Sequence, residues 1–138
     1  MMKSIVFGSA AAIVLAIGPA HAQDTLSVGN AEAGATVFKR CMACHKVGPD
    51  ARKGVGPVLN GVAGQAAASR PDYNYSVAMK KSGLTWDEAT LTTYLQAPRK
   101  LVPGTKMTFV GLKKNQEIAD VIAYLKRFDA QGQQVVGP

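Results

Sequence analysis

The sequence predicts an all-α domain of short helices joined by long loops. Capping residues and apolar positions at helical spacing mark three helices, and a fourth short segment precedes Gly83. Residues 46–72 are rich in Gly and Pro, and no strand pattern or internal repeat stands out. Four short helices and so long a loop make a thin core, so the loop needs something to wrap around. The pattern therefore predicts a large apolar ligand.

The first two helices follow from capping and stop signals. Asn30 is expected to cap a helix over residues 31–42, whose apolar face includes Val37 and Phe38. A short helix over residues 75–81 is expected to stop at Gly83.

The last two helices carry stronger patterns. Residues 85–88 match a capping box with Thr85 as the cap, and they open a helix that ends before Pro98. Asn115 is expected to cap an amphipathic helix, whose apolar residues at helical spacing are Ile118, Val121, Ile122, Leu125 and Phe128.

The N-terminus has the pattern of a cleaved secretory signal. Residues 1–3 supply a positive charge, residues 5–20 are uncharged, and Ala20-His21-Ala22 fits a small-x-small cleavage site. The uncharged run is shorter than the roughly 18 apolar residues of a membrane span, and an uncleaved anchor is the alternative. We therefore expect a signal peptide at 1–22.

Cleavage would leave residues 23–138 as one domain, with a core at about 31–129 and a flexible tail at 130–138. The formal charge of +7 would fall by one, and His45 would be the only histidine left. A hydrophobic share of 47% excludes wholesale disorder. The positive charge suits acidic partners, but no nucleic-acid reading motif accompanies it, so nucleic acid is not expected as a partner.

Residues 41–45 carry the chemistry. Cys41-Met42-Ala43-Cys44-His45 is C-x-x-C-H, the attachment signature of c-type haem. Thiols at this spacing can form thioethers with both vinyl groups on one porphyrin edge, and the next imidazole can reach the iron. We expect one covalently attached haem c, with Cys41 and Cys44 as attachment residues and His45 as an axial ligand.

Three other interpretations of the motif compete with haem attachment. A thioredoxin-type motif would need a βαβ context, which is absent from the pattern. A zinc site would need two more ligands, and residues 23–138 contain no further Cys or His. A chance match to so short a motif is the third. Export to an oxidising compartment favours haem, because a bare vicinal thiol pair does not usually stay reduced there.

The second axial ligand has to come from a methionine or a lysine. Met42 lies inside the attachment motif and cannot cross to the opposite face of a haem. Met79 lies in a short helix, where a packing role is favoured. Met107 closes the stiff turn that begins at Pro103, which can aim one thioether inward, although packing under a loop is the alternative. The residues favour Met107.

The chain resembles the class I cytochromes c, close to the mitochondrial type and to bacterial cytochrome c2. Besides C-x-x-C-H, the resemblance rests on segments that stand in the family's order: Gly34-x-x-x-Phe38, Gly56-Pro57-Val58-Leu59-Asn60-Gly61, Trp86, Pro103-Gly104-Thr105-Lys106-Met107 and Asp120-Val121-Ile122-Ala123-Tyr124-Leu125-Lys126. C-x-x-C-H alone is shared by unrelated folds, whereas this ordered set is far more specific.

The resemblance implies the class I cytochrome c fold, with His45 and Met107 as axial ligands of the haem iron. Pro57 would offer its carbonyl to the ring N–H of His45. The implied haem environment consists of Tyr75, Ser76, Trp86, Tyr94 and Thr105, with Tyr94 near the Met107 sulfur and the others near the propionates. A role as plain core aromatics is the alternative for Trp86 and Tyr94.

The resemblance also implies one helix contact and shows two departures. Gly34 and Phe38 would meet Tyr124 and Val121 where the terminal helices cross. Gln65 stands where the family often has an arginine near the inner propionate, and Met79 stands where it often has Asn.

The positive charge is interpreted as a docking surface around the haem edge. The expected docking residues are Arg40, Arg99, Lys100, Lys106, Lys113 and Lys114. The resemblance implies acidic faces of membrane redox complexes as partners, namely a bc1-type complex, a cytochrome c oxidase and, in a phototroph, a photosynthetic reaction centre. A simple solvated surface is the alternative.

The implied function is that of a periplasmic, mono-haem electron carrier that cycles between Fe(III) and Fe(II). Such a carrier is not an enzyme, and we expect a monomer without stable membrane insertion. The alternative is a haem protein with an open iron site and peroxidase-like or ligand-binding activity. A binding module without haem is a third possibility.

Overall fold

The computed structural model describes residues 27–135, so the expected signal peptide and residues 136–138 lie outside the described part. The helices in this part are α1 (Ala31–Phe38), α2 (Val77–Lys81), α3 (Glu88–Gln96), α4 (Pro98–Leu101) and α5 (Asn115–Leu125). Two isolated bridges, Ala66 with Thr85 and Phe128 with Gln134, are the β pairing found there. The all-α prediction is confirmed. Between residues 27 and 135, no helix has the length and apolar character needed to cross a bilayer.

The first helix begins where the sequence predicts but ends earlier. The Asn30 side chain accepts a hydrogen bond from the N–H of Ala33 at 2.8 Å, which confirms the expected cap. α1 stops at Phe38 instead of residue 42, because the chain tightens into turns in which the Cys41 N–H donates to the Phe38 carbonyl at 2.8 Å. The C-x-x-C-H segment therefore lies on turns after the helix.

The next two helices begin later than expected, because different residues cap them. Ser76 caps α2 through a 3.0 Å hydrogen bond from the Met79 N–H to Ser76 Oγ. Asp87, not Thr85, caps α3, since Asp87 Oδ1 accepts from the Thr90 N–H at 2.8 Å. The predicted capping box is thus wrong by two residues.

Pro98 ends α3 as predicted, but it also begins α4, which the sequence interpretation missed. Proline suits a first helical position, because the N–H that it lacks would have no partner there. Asn115 was expected to cap α5, but the helix begins at this residue itself, after Lys114. The Asn115 Oδ1 atom instead accepts from Gln96 Nε2 at 3.3 Å and so connects α5 to α3.

The two terminal helices cross at Gly34. A Cβ atom there would lie 1.9 Å from the Asp120 carbonyl oxygen of α5, so only glycine permits this approach. Beside the crossing, the rings of Phe38 and Tyr124 have centroids 5.3 Å apart. The buried Asp120 carboxylate accepts from the Asn30 N–H at 2.7 Å. The contact implied by the resemblance is therefore present.

The long loop is held to itself and to the end of the chain. Asn60 Oδ1 accepts from the Gly48 N–H and Asn60 Nδ2 donates to the Gly48 carbonyl, both at 2.8 Å. Residues 130–135, part of the expected tail, turn back so that the Val135 N–H donates to the Arg127 carbonyl at 2.7 Å. This part of the tail is attached to the body of the domain.

We expect Gly34→Ala to destabilise the domain by about 1–3 kcal/mol, because its methyl group would overlap the Asp120 backbone. Helix propensity alone would favour alanine by about 1 kcal/mol. The sign of the change in the free energy of unfolding therefore distinguishes steric overlap from helix propensity. Thr36→Ala, on the exposed face of α1, is the control and should change the free energy of unfolding by about 0.5 kcal/mol or less. Urea unfolding measures both. Stabilisation by Gly34→Ala would contradict the close crossing.

Candidate functional site

The helices and the 46–72 loop enclose a cavity of about 600 Å³ with a mostly apolar wall. This volume lies within the range of about 300–1,000 Å³ that ligand pockets occupy. The residues predicted to attach the haem and to ligate its iron, Cys41, Cys44, His45 and Met107, all line it. The cavity is therefore where the predicted chemistry converges.

The two cysteines lie on the turn that follows α1. Their thiols are half-buried and are not joined to each other. Burial raises the pKa of the Cys41 thiol, and the nearby Arg40 charge opposes this only in part. No cluster of three or more His, Cys, Asp or Glu side chains that could hold a metal ion occurs in residues 27–135. Two thiols on one wall of one apolar cavity fit the attachment of a single apolar group.

His45 is held in a single orientation by the loop. Its Nδ1 atom lies 2.8 Å from the Pro57 carbonyl oxygen, as the resemblance implies. A carbonyl can only accept, so Nδ1 carries the proton and Nε2 keeps its lone pair. Burial lowers the pKa of His45, against the opposing effect of the Pro57 hydrogen bond, and so favours neutral imidazole. A neutral ring with a free Nε2 is what metal ligation requires.

Gly56 lets the loop lie flat against the imidazole. A Cβ atom at this position would stand 2.5 Å from Cε1 of His45. Glycine is therefore needed for the contact that places Pro57 beside the ring. The sequence interpretation quoted Gly56 as part of a motif but gave it no role.

Met107 lies half-buried on a turn that its neighbours hold in place. The Thr105 N–H donates to the Val102 carbonyl at 3.0 Å, and Thr105 Oγ1 accepts from the Met107 N–H at 3.3 Å. Gly104 takes a φ of 90° in this turn. Met79 also lines the cavity, but it is buried in the core cluster. The structure thus brings two methionines to the cavity.

The predicted haem environment is brought together as well. Tyr75, Ser76, Trp86, Tyr94 and Thr105 all line the cavity. The Tyr94 hydroxyl lies 3.2 Å from Thr105 Oγ1, and the Trp86 and Tyr94 rings have centroids 4.9 Å apart. Burial raises the pKa of Tyr94. Trp86 and Tyr94 also belong to the buried core, so they are core aromatics and cavity residues at once.

The predicted docking cations fall into different environments. Arg40 and Lys106 line the cavity, whereas the other four do not. Glu117 binds Arg40 at 2.8 Å and lies 3.8 Å from Lys114, so two of the charges share one acidic partner. Lys106 Nζ donates to the Asn74 carbonyl at 2.6 Å and thereby holds two loops together. Arg99, Lys100 and Lys113 make no side-chain hydrogen bond or ion pair with residues 27–135.

Among the described residues that line the cavity, Arg70 is the charged one that the sequence interpretation did not name. It lies near the end of the 46–72 loop, and its side chain forms part of the cavity wall. The only signal in the sequence is that Arg70 is the first charged residue after Lys53.

Known proteins that resemble this chain agree on one family. Residues 31–129 match the family model described as Cytochrome c. A cytochrome c2 of Rhodomicrobium vannielii is 62% identical over 99 residues, which cover 72% of this chain and 79% of that protein. A cytochrome c2 of Blastochloris viridis is 43% identical and covers 95% of this chain and 98% of its own. The structure of cytochrome cH from Methylobacterium extorquens matches with a TM-score of 0.67 and 48% identity, over 71% of this chain and 98% of that one.

We expect Gly56→Ala to displace the His45 ring and to cost about 1–3 kcal/mol of stability, because its methyl group would overlap the imidazole. Gly54→Ala is the matched control, since its methyl group would meet only the Cys44 carbonyl, at an ordinary 3.6 Å. Thermal unfolding and the NMR signals of the His45 ring report the two effects. Equal unfolding temperatures and equal His45 ring signals in the two variants would show that the loop does not need glycine beside the ring.

Proposed function

This chain belongs to the cytochrome c family, and from that premise we propose that Cys41, Cys44, His45 and Met107 hold its haem c. The fold is the class I cytochrome c fold, and the chain is a mono-haem electron carrier. One observation carries the assignment of the site: two thiols, an imidazole and a thioether meet at one cavity with an apolar wall.

Different residues of the chain would hold the haem in different ways. Cys41 and Cys44 would attach it through two thioethers, which prevents its loss by dilution after export. His45 would bind the iron through Nε2, in the orientation that Pro57 fixes. The bound haem supplies an iron that accepts and releases one electron. An apolar wall would limit the access of water to the bound haem and, together with the His45 and Met107 ligands, would raise its reduction potential.

Met107 is proposed as the second axial ligand in preference to Met79. Met107 lies half-buried on a turn fixed by Thr105, whereas Met79 is packed among core residues and its N–H binds the Ser76 cap. A thioether is a soft ligand and stabilises the ferrous state. If His45 and Met107 both bind the iron, no position would remain on it for a substrate, which favours electron transfer over peroxidase-like activity.

We further propose that the protein works in the periplasm after export by residues 1–22. There it would carry electrons from a bc1-type complex to a terminal oxidase or a photosynthetic reaction centre, as the resemblance implies. The excess of basic over acidic residues, 16 to 9, suits acidic faces on such partners. Arg99, Lys100 and Lys113, whose charges no described residue pairs, are the strongest candidates for that contact.

Mass spectrometry of the native protein should show one covalent haem per chain, and Met107→Leu should then open the iron to external ligands. We expect the ferrous variant to bind CO readily, with a changed visible spectrum and a lower potential, because a soft ligand is lost. Met79→Leu is the matched control and should keep the parent spectrum and exclude CO. CO binding by Met79→Leu alone would reverse the assignment. A chain without haem would contradict the proposed site.

Charge removal at the docking surface should slow reaction with an anionic partner. We expect the double variant Arg99→Gln/Lys100→Gln to react about two- to tenfold more slowly with hexacyanoferrate(III) at low ionic strength, with a weaker salt dependence. The control, Lys126→Gln/Arg127→Gln, removes the same charge from residues already paired with Glu88 and Glu32. Stopped-flow kinetics at several salt concentrations compare them. Equal slowing by both pairs would show that only net charge matters.

A further inference from the structure

Arg70 lies at the cavity wall, and the described part of the chain satisfies the hydrogen-bonding groups of its guanidinium only in part. Its Nε atom is buried and has no hydrogen-bond partner within residues 27–135. The nearest carboxylate oxygen, Asp72 Oδ1, is 3.6 Å from Nε, which is too long for a hydrogen bond. Nη1 reaches the Asn60 carbonyl only at 3.4 Å. An arginine has five N–H donors, and leaving a buried one without a partner is costly.

The cavity wall that includes Arg70 offers further hydrogen-bond donors, whereas Asp72 does not line the cavity. Gln65, Ser69 and Trp86 line the same cavity, and their side chains make no hydrogen bond to the described part of the chain. Among residues 27–135, no Asp or Glu lines the cavity. The Arg70 side chain is partly buried, and its one carboxylate neighbour in the described part of the chain, Asp72, lies at ion-pair distance without accepting a hydrogen bond. The unsatisfied donors therefore suit a second anion that arrives with the ligand.

The backbone brings Arg70 and Gln65 to the same cavity from opposite sides of a turn. The Trp86 N–H donates to the Gln65 carbonyl at 2.8 Å, which fixes Gln65 beside Trp86. Between Gln65 and Arg70, Ala68 takes a φ of 58°, which is uncommon for a residue other than glycine. The chain therefore reverses here and returns Arg70 to the cavity wall.

We propose that Arg70 binds a carboxylate of the haem and so supplies the cation that position 65 lacks in this chain. The inference rests on the proposed haem site. It assigns Arg70 as a positioning residue that the resemblance does not identify, since the resemblance places an arginine at Gln65. Guanidinium suits this task, because its planar donors match a carboxylate in a bidentate pair.

NMR of the native ferrous protein tests the contact directly. The Nε–H of Arg70 should exchange with solvent about ten- to a hundredfold more slowly than that of Arg52, because a hydrogen bond to a charged group protects it. Arg52 is exposed and lacks a described side-chain partner. The Arg70 signal should also show a nuclear Overhauser effect to a haem propionate methylene. Exchange as fast as that of Arg52, without this effect, would overturn the proposal.

The reduction potential gives a second, independent readout. Removal of a cation beside a haem carboxylate favours the ferric state, so Arg70→Leu should lower the midpoint potential more than Arg52→Leu does. Arg70→Lys keeps the charge and should restore most of the shift. If haem is attached but Arg70→Leu and Arg52→Leu change the midpoint potential equally, the role of Arg70 is contradicted and the proposed function is not. If the parent protein lacks haem, the proposed function itself is contradicted. If Arg70→Leu does not fold, the midpoint potential of Arg70→Lys and the Arg70 signal in the NMR spectrum of the parent protein test the proposal instead.

Discussion

The cavity is the constraint on which the rest of the structure depends. Only α1 and α5 make an extensive direct contact among the described helices, through the close approach at Gly34. Trp86, Leu91 and Tyr94 belong to the buried core and also line the cavity. A group that fills the cavity therefore packs against core side chains. A domain this small buries little apolar surface by itself. The haem c of this family thus completes the core and is also the redox centre. The same side chains therefore contribute to the stability of the fold and to the environment of the iron.

The sequence predicted helices better than helix ends, and the reason is local competition. Thr85 and Asp87 are both acceptable caps, but Thr85 pairs with Ala66 in a bridge and leaves the cap to Asp87. The site was predictable where spacing along the chain encodes it, as in C-x-x-C-H. Gly56 contacts His45, 11 positions earlier in the chain, and Arg70 contacts Asn60, 10 positions earlier. No local sequence pattern indicates such tertiary contacts.

The positive surface is not a set of equivalent charges. Glu117 neutralises part of the charge of Arg40 and Lys114, and the bond of Lys106 to Asn74 is structural. Exposed ion pairs contribute little to stability, but they reduce the field that a partner meets. In the proposed docking, the cations without such pairing would therefore set the direction from which a partner approaches. Arg40 differs from them, because it stands beside Cys41 and its pairing with Glu117 joins the attachment turn to α5.

The loop that orients His45 is held by a series of hydrogen bonds that extends to Phe128, just after the end of α5. The Gly56 N–H donates to the Cys44 carbonyl at 2.8 Å, and the Gly61 N–H donates to the Phe128 carbonyl at 3.1 Å. Between these two points, Asn60 holds the loop to Gly48. As the proposed ligand, an imidazole held in this way would move little when the iron changes charge, and such supporting contacts tune a metal site. Gain and loss of an electron can therefore occur without rearrangement of the loop, which is what a carrier requires.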